Sequence, residues 1–270
     1  MSELFGSDAF APPEIAARVE KVGVAKTRLP LAATAMLSVL GGAFIGLGAL
    51  FATVVTADAS LSPAVSRVLS GVVFALGLLL VVVAGAELFT GNNLLVMAWA
   101  DRRIRTRTLL RHWLVVFAGN AVGAFGLAVL VWWSGHTTAD DGLIGARYLA
   151  IAAHKVRLPF GAAVASGVLC NVLVCLGVWM AFAGRSVVDK AVAVMFPVAA
   201  FVACGFEHSV ANVYFFAIAW LLPAVGAPPV TLEGALGNLA PVVLGNLIGG
   251  GLFVALVYHY VYRRSAPPAA

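Results

Sequence analysis

One short segment places a carboxylate beside an imidazole in the middle of a long apolar run. Glu207 and His208 lie within Gly205–Asn212, and the sequence from about residue 191 to 223 is otherwise apolar. An ionisable side chain at membrane depth is costly and indicates a functional site. The imidazole changes charge near neutral pH, so the sequence predicts that His208 exchanges a proton with a substrate.

The same spacing occurs earlier in the chain. Glu87 lies within Gly85–Asn92, and both segments follow the pattern Gly-x-Glu-x-x-x-x-Asn. Each is followed by a second shared pattern, Gly-Asn-x-x-Gly, at residues 119–123 and 245–249. Two motifs that recur in the same order indicate an internal duplication.

Charged side chains are too scarce for the surface of a soluble protein. The 270 residues are 62% hydrophobic and 11% charged, with a mean hydropathy of +1.00, whereas soluble domains contain about 25% charged residues. The chain must therefore lie in a bilayer. The net charge of +5 is interpreted as membrane topology rather than as a nucleic-acid surface, because the Lys and Arg residues lie in loops and termini.

Six apolar runs are each long enough to cross a bilayer, which takes roughly 20 residues. They lie near residues 30–57, 67–98, 109–133, 159–183, 190–222 and 236–262. The second and fifth runs are too long for one straight span, and they contain the two Gly-x-Glu motifs. We expect two half-helices in each, with breaks near residues 87–93 and 205–209, which protein must bury or which line a cavity.

The two halves of the chain are predicted to be inverted. Three spans separate each motif from its repeat, and an odd number of spans reverses the second copy in the membrane. Inverted repeats are typical of transporters and channels, with the substrate path at the repeat interface. The predicted fold class is an all-α integral membrane protein with six transmembrane helices in an inverted 3+3 repeat, spans 2 and 5 being broken.

The placement of charge predicts that both termini are cytoplasmic. The N-terminal segment and the loop at 101–111 are rich in Lys and Arg, which mark the cytoplasmic side. Residues 1–28 are expected to form an amphipathic helix on the membrane surface, starting near Pro12. Residues 29–262 are assigned to the pore domain and residues 263–270 to a cytoplasmic tail.

Four polar residues of the repeated motifs are assigned structural work. Glu87 and Glu207 would repel an anion if they lined its path, so we expect them to accept backbone N–H groups exposed at the helix breaks. Asn92 and Asn212 are expected to do the same.

The other polar and sulfur side chains of the spans receive no chemical role. The cysteines are expected to be small buried hydrophobes, namely Cys170, Cys175 and Cys204. Three histidines at span ends or in loops are expected to be interfacial, namely His112, His136 and His259. No metal set, cofactor motif or nucleotide loop is found, and no enzymatic function is predicted.

Three separated segments together resemble the formate/nitrite transporter family. They are Gly85–Asn92, Gly184-Arg185-Ser186-x-x-Asp189-Lys190 and Gly205–Asn212. The second of these segments and His154-Lys155-Val156 resemble the formate-channel branch most. The resemblance runs from about residue 28 to 262. It implies an aquaporin-like six-helix protomer and a cyclic homopentamer with one pore in each protomer.

The resemblance also implies which residues form the pore. In the family, apolar side chains narrow the pore on both sides of the central histidine. The matching positions here are Leu78 and Leu88 on the cytoplasmic side and Phe74, Phe201 and Val174 on the periplasmic side. Thr90 would face His208, Lys155 matches a vestibule lysine, and Asn171 is its neighbour on the fourth span.

The function predicted from these residues is passage of a small monovalent anion, most of all formate, with a proton. Half-helix N-termini and Lys155 would attract the anion, and the apolar rings would reject it as an ion. The hypothesis is that the substrate takes a proton near His208 and crosses as a neutral acid, or moves together with a proton. The location expected is a bacterial inner membrane.

Several alternatives remain open from the sequence. A nitrite or hydrosulfide channel of the same family fits the motif around Glu87 equally well. An aquaporin-like pore for neutral solutes would show no response to a proton gradient. A membrane enzyme would need a second titratable group, a metal set or a nucleotide loop, and none is found. A structural anchor would not need two broken helices with polar centres.

Overall fold

The structure is a computed structural model, and it describes residues 9–58, 60–223 and 229–264. Across these residues the chain forms helices and connecting loops without a strand, which confirms the all-α class. The ends of the two predicted terminal segments, residues 1–8 and 265–270, lie outside the described residues.

The described residues form eleven α-helices, which range from long spans to short segments. In chain order they are α1 (Pro12–Thr27), α2 (Leu31–Ala57), α3 (Pro63–Leu79), α4 (Val96–Ala100), α5 (Thr106–Trp133), α6 (Leu143–Val156), α7 (Phe160–Ala181), α8 (Val187–Ala203), α9 (Ser209–Leu221), α10 (Leu232–Leu247) and α11 (Val257–His259). Segments of π-helix follow α3, α10 and α11, at Leu80–Gly85, Ile248–Leu256 and Tyr260–Arg264. Short 3₁₀ turns lie at Gly91–Leu95, His136–Thr138 and Asp140–Gly142.

Five helical segments of the described chain are long and apolar enough to cross a membrane. They are Leu31–Ala57, Pro63–Gly85, Thr106–Trp133, Phe160–Ala181 and Leu232–Arg264. The remaining predicted span, the fifth, is divided between α8 and α9. Large apolar side chains are exposed on the outer faces of the helices, as on Met36, Leu114 and Trp133, which are 71%, 71% and 77% exposed.

Both predicted broken spans are confirmed, with slightly different limits. The first break covers residues 86–90 and the second covers residues 204–208. The predicted limits were too late because the chain resumes a helical conformation at Gly91 in the first case and at Ser209 in the second.

The glycine of each Gly-x-Glu motif ends a half-helix in a left-handed conformation. Gly85 has φ of 88° and Gly205 has φ of 72°, which glycine adopts without the steric penalty of a side chain. The next residue then turns back on the helix, since Ala86 N–H donates to Val81 O at 3.0 Å and Phe206 N–H donates to Phe201 O at 2.9 Å. The first residue of each motif, Gly85 or Gly205, therefore terminates the preceding half-helix.

Two helix triplets repeat the same packing. In the first half α2 packs on α3 and α5, and in the second half α7 packs on α8 and α10. A side chain at Gly123 would overlap the carbonyl oxygen of Val39, and one at Gly249 would overlap that of Val168. The repeated glycines thus bring corresponding helix pairs into backbone contact. This supports the duplication, while the inverted orientation stays a prediction.

The N-terminal helix exists as predicted but packs differently. Ile15 and Val19 of α1 are 4% and 3% exposed, and they belong to an apolar cluster with Leu95, Met97 and Trp179. The expected position on the membrane surface is therefore wrong for its apolar face, which protein covers instead of lipid.

An ionic cluster attaches the same helix to two other segments. The Glu20 carboxylate is buried, contacts Arg103, and accepts from Arg263 Nε at 2.8 Å. Arg103 also contacts Asp101, with 3.4 Å between Nε and Oδ2. The cluster joins α1 to the loop after α4 and to the end of the last helix.

Candidate functional site

His208 lies at the second break, where it caps the first turn of α9. Its Nδ1 accepts a hydrogen bond from Ala211 N–H at 3.2 Å, and its Nε2 lies 3.0 Å from Thr90 Oγ1. A neutral imidazole that accepts at Nδ1 carries its proton on Nε2, so Nε2 donates to Thr90. The predicted contact between Thr90 and His208 is present, and the capping bond selects the tautomer.

Thr90 is held in turn by the fourth span. Its carbonyl oxygen accepts from Asn171 Nδ2 at 3.3 Å and from Cys175 Sγ at 3.4 Å. Asn171 also donates to Asn246 O at 2.7 Å and is fully buried. Asn171 therefore lies beside Thr90, and its amide nitrogen binds backbone carbonyls of the two halves. Its described hydrogen bonds do not include Lys155, whose neighbour the resemblance implied it to be.

The apolar residues expected to narrow the pore lie together in one buried cluster. These five residues belong to a larger cluster that runs through the core, and they are Phe74, Leu78, Leu88, Val174 and Phe201. The rings of Phe74 and Phe201 meet edge to face at 5.7 Å, and Phe201 stacks on the His208 imidazole at 5.9 Å between ring centres. His208 therefore packs against Phe201. We call the five apolar residues named in this paragraph the apolar wall.

Two cavities approach the apolar wall from different sides. The Lys26 cavity, of about 510 Å³, is lined by residues that include Lys26, Leu78, Leu88 and Lys190. The Lys155 cavity, of about 550 Å³, is lined by residues that include Arg67, Phe74, Arg147, Lys155, Phe201 and His208. The two sets of lining residues do not overlap.

The apolar wall is thin. Phe74 and Leu78 are one helical turn apart on α3, yet they line different cavities. One turn of helix rises about 5.4 Å, so the two cavities come within roughly one helical turn of each other along α3. Val174 is buried in the wall and lines neither cavity.

Glu207 is the centre of a side-chain network at the Lys155 cavity. Its carboxylate accepts from Lys155 Nζ at 2.7 Å, from Asn212 Nδ2 at 2.6 Å and from Asn238 Nδ2 at 3.4 Å. Asn238 Oδ1 also accepts from Asn212, at 2.7 Å. The network fixes the carboxylate within a nearly fully buried set of groups.

Glu87 is the centre of the corresponding network at the Lys26 cavity. Lys26 Nζ donates to its carboxylate at 3.2 Å and to Asn92 Oδ1 at 2.9 Å. Asn92 Nδ2 donates to Glu87 Oε2 at 2.6 Å, and His112 Nε2 lies 3.4 Å from the same oxygen. Lys26 belongs to α1, so the N-terminal helix supplies part of this site.

The predicted partners of these carboxylates were wrong. Glu87 and Glu207 accept from side chains, and Asn92 and Asn212 donate to them, while none of the four binds an exposed backbone N–H with its side chain among the described residues. A hydrogen bond from an ammonium group to a carboxylate is charged at both ends, so Lys26 and Lys155 are stronger partners than a neutral backbone N–H.

Two other side chains, those of His112 and Cys204, differ in exposure from what the sequence predicted. His112 is not interfacial, since it is 6% exposed and its Nε2 lies 3.2 Å from Asn92 Nδ2. Cys204 is exposed and lines the Lys155 cavity, whereas Cys170 and Cys175 are buried as predicted. Cys204 is exposed because α8 ends one residue before it and the helix break follows.

Comparison with known proteins identifies the fold that carries this site. A family model described as the formate/nitrite transporter matches residues 13–260. The chain belongs to the formate/nitrite transporter family. It is 40% identical to the protein named formate channel FocA of Escherichia coli strain K12, over 95% of this chain and 96% of that protein.

Solved structures of similar proteins share the fold of this formate/nitrite transporter. One, described as an FNT family ion channel, is 30% identical with a TM-score of 0.84, over 92% of this chain and 98% of that chain. Another, described as a pentameric formate channel with formate bound, is 37% identical with a TM-score of 0.79, over 86% of this chain and 97% of that chain. The predicted family and membrane fold are confirmed.

Several residues that build the site of this formate/nitrite transporter were not predicted from the sequence. Asn120 Nδ2 donates to Glu87 O at 2.8 Å, and Asn246 Nδ2 donates to Glu207 O at 3.0 Å. Their position in the repeated Gly-Asn-x-x-Gly motif was a usable signal, because a buried amide in an apolar span needs partners. Lys26 and Asn238 gave no such signal, since each lies outside the repeated motifs.

Proposed function

We propose that this chain is a multi-pass inner-membrane channel for formate, with one pore in each of five assembled copies. The relatives named formate channels and the solved pentamer with bound formate support the substrate and the assembly. The observation that carries the proposal is the His208–Thr90 hydrogen bond at a thin apolar wall between two cavities. The excess of Lys and Arg in the N-terminal segment and in the loop at residues 101–111 supports a cytoplasmic position for the Lys26 cavity.

The apolar wall requires that the substrate crosses without net charge. Moving a carboxylate into an apolar environment costs far more than moving its neutral acid. Formate entering either cavity would therefore gain a proton before it passes Phe74, Phe201 and Leu88. The pair formed by His208 and Thr90 offers the acid a polar contact at the narrowest point.

The tautomer limits how His208 can take part in proton transfer. A neutral imidazole that gave up its Nε2 proton would become an imidazolate, which is far too basic to form here. His208 can therefore deliver a proton only after Nδ1 has gained one, and this breaks the bond from Ala211 N–H. A relay through His208 needs a change at the first turn of α9.

Uptake into proteoliposomes tests the proposal. We expect radiolabelled formate to enter faster than into protein-free liposomes and to accelerate under an inward proton gradient. Faster uptake of nitrite or hydrosulfide would keep the pore and change its substrate. Passage of water or glycerol without anion uptake would contradict the proposal.

A His208→Asn variant tests the relay separately. Asparagine keeps a donor and an acceptor but does not titrate. If the pH dependence of formate flux is the same in this variant and in the wild type, the proton does not pass through the imidazole. Altered pH dependence would support the relay.

A further inference from the structure

Lys155 is a weak candidate for the anion-binding group of its cavity. Its ammonium lies 2.7 Å from Glu207 Oε1, and its side chain is only 12% exposed. The same nitrogen lies 5.6 Å over the ring of Phe215. The carboxylate cancels most of its positive potential, so an anion gains little by approaching Lys155.

Two arginines of the same cavity differ from Lys155, because no described carboxylate neutralises them. Arg67 and Arg147 both line the Lys155 cavity. Among the described residues, neither makes a salt bridge within 4.0 Å, and the buried Nε of Arg147 has no hydrogen-bond partner. A buried guanidinium nitrogen without a partner is uncommon and asks for an explanation.

The charge of the cavity therefore comes from its arginines. The charged side chains that line it are Arg67, Arg147, Lys155 and Glu207, and the last two form a pair. Two positive charges remain without a counter-ion in the described chain. Arg147 is the half-buried one, which makes its field less screened by water and salt.

We propose that Arg147, with Arg67 near the entrance, is the anion-binding group of the Lys155 cavity and favours planar anions that have two oxygen atoms. The proposal rests on the proposed function, and it names the residue that binds the anion in the Lys155 cavity before the anion reaches the apolar wall. A guanidinium presents parallel N–H groups that bind a carboxylate or a similar oxyanion in a fork, which an ammonium cannot do. Formate and nitrite have this geometry, whereas hydrosulfide has a single acceptor atom.

The native thiol of Cys204 provides a test that does not depend on transport. Cys204 is exposed and lines the same cavity, while the other two cysteines are buried. The rate of modification by an anionic methanethiosulfonate, divided by the rate with a cationic one, reports the local potential. A neutral maleimide measures accessibility and folding of each variant.

The expected result is a change in this ratio that depends on Arg147. In wild-type protein at low ionic strength the anionic reagent should react faster. Arg147→Gln should lower the ratio severalfold, because one positive charge is removed from the cavity lining that Cys204 shares. The matched control Arg157→Gln should leave it unchanged, because this exposed arginine at the C-terminal end of the same helix, α6, does not line the cavity. An unchanged ratio in Arg147→Gln would overturn the proposal.

Competition tests the preference for two oxygen atoms. Sodium formate should slow the anionic reagent more than sodium chloride at equal ionic strength, in the wild type but not in Arg147→Lys. Equal effects of the two salts on wild-type protein would overturn the preference.

Flux measurements separate this proposal from the proposed function. Arg147→Lys should raise the KM for formate about threefold to tenfold, the effect of one hydrogen bond, and should leave the KM for hydrosulfide unchanged. Formate flux with an unaltered KM in this variant would contradict only the role of Arg147. Formate-sensitive labelling in a protein that passes no formate would contradict only the channel.

Discussion

Asn246 makes in the second half of the chain the contacts that Asn120 makes in the first. Asn120 accepts from Phe89 N–H at 2.9 Å and donates to Glu87 O, and Asn246 accepts from Ser209 N–H at 3.0 Å and donates to Glu207 O. Each amide also donates to a carbonyl of a neighbouring span, Ser38 or Gly167. Each side chain therefore satisfies three backbone groups, two at the helix break and one on a neighbouring span.

Replacing Asn246 with alanine should destabilise the protein strongly. Buried backbone groups that lose their partner cost about 1–3 kcal/mol each, so we expect a loss of about 3 kcal/mol or more in the free energy of unfolding. Denaturant unfolding in detergent measures it. Leu244→Ala on the outer face of the same helix is the control and should cost much less. Equal costs for both variants would contradict the role of Asn246.

The ion pair between Lys155 and Glu207 should show strong coupling in a double-mutant cycle. Lys155→Met leaves a buried carboxylate without its cation, which typically costs about 3–5 kcal/mol. The double variant Lys155→Met/Glu207→Gln should recover much of this stability, because no charge remains unpaired. Unfolding of the four proteins gives the coupling energy. Additive effects would show that the pair contributes little.

The double variant should also keep most of the formate flux if Lys155 mainly neutralises Glu207. Flux is measured in proteoliposomes with equal amounts of folded protein. A flux near that of empty liposomes would mean that the ammonium acts on the substrate directly.

The hydroxyl of Thr90 should matter more for flux than for folding. Thr90→Val keeps the shape of the side chain and removes the partner of His208 Nε2. One hydrogen bond is worth about 0.5–1.5 kcal/mol, so we expect formate flux to fall roughly threefold to tenfold. Thr90→Ser restores the hydroxyl and should restore flux. Normal flux through the valine variant would exclude a role for this hydroxyl.

Removing the Glu20 charge should loosen the N-terminal helix. Hydrogen bonds to charged groups are worth about 1.5–3 kcal/mol, so amide hydrogen exchange in α1 should accelerate at least about tenfold in Glu20→Gln. Lys21→Gln, an exposed neighbour on the same helix, is the control and should exchange like the wild type. Equal exchange in all three proteins would mean that apolar packing alone holds α1.

The features that the sequence predicted well are those with a repeated local pattern. The long apolar runs, the two breaks and the contact between Thr90 and His208 follow from hydropathy, from the Gly-x-Glu repeat and from the family resemblance. The left-handed glycines at 85 and 205 explain why the repeat could be recognised, because few other residues can end a helix in this way.

The features that the sequence could not predict are contacts between distant segments. Lys26 reaches Glu87 across 61 positions and Asn238 reaches Glu207 across 31, and neither lies in a repeated motif. A single Lys at the end of an amphipathic helix is ordinarily a solvated charge. Only the packing of α1 against the first broken span brings it to the carboxylate, and that packing depends on the whole fold.

Backbone groups that the helix breaks leave without helical partners bind two asparagine side chains, Asn120 on α5 and Asn246 on α10. The side chains of the apolar wall, such as Phe74 and Leu88, take no part in these hydrogen bonds. They can be exchanged for others of similar volume at little expense to folding. Different residues therefore stabilise the helix breaks and form the apolar wall. During evolution the wall can change, and with it the substrate, while the fold stays the same.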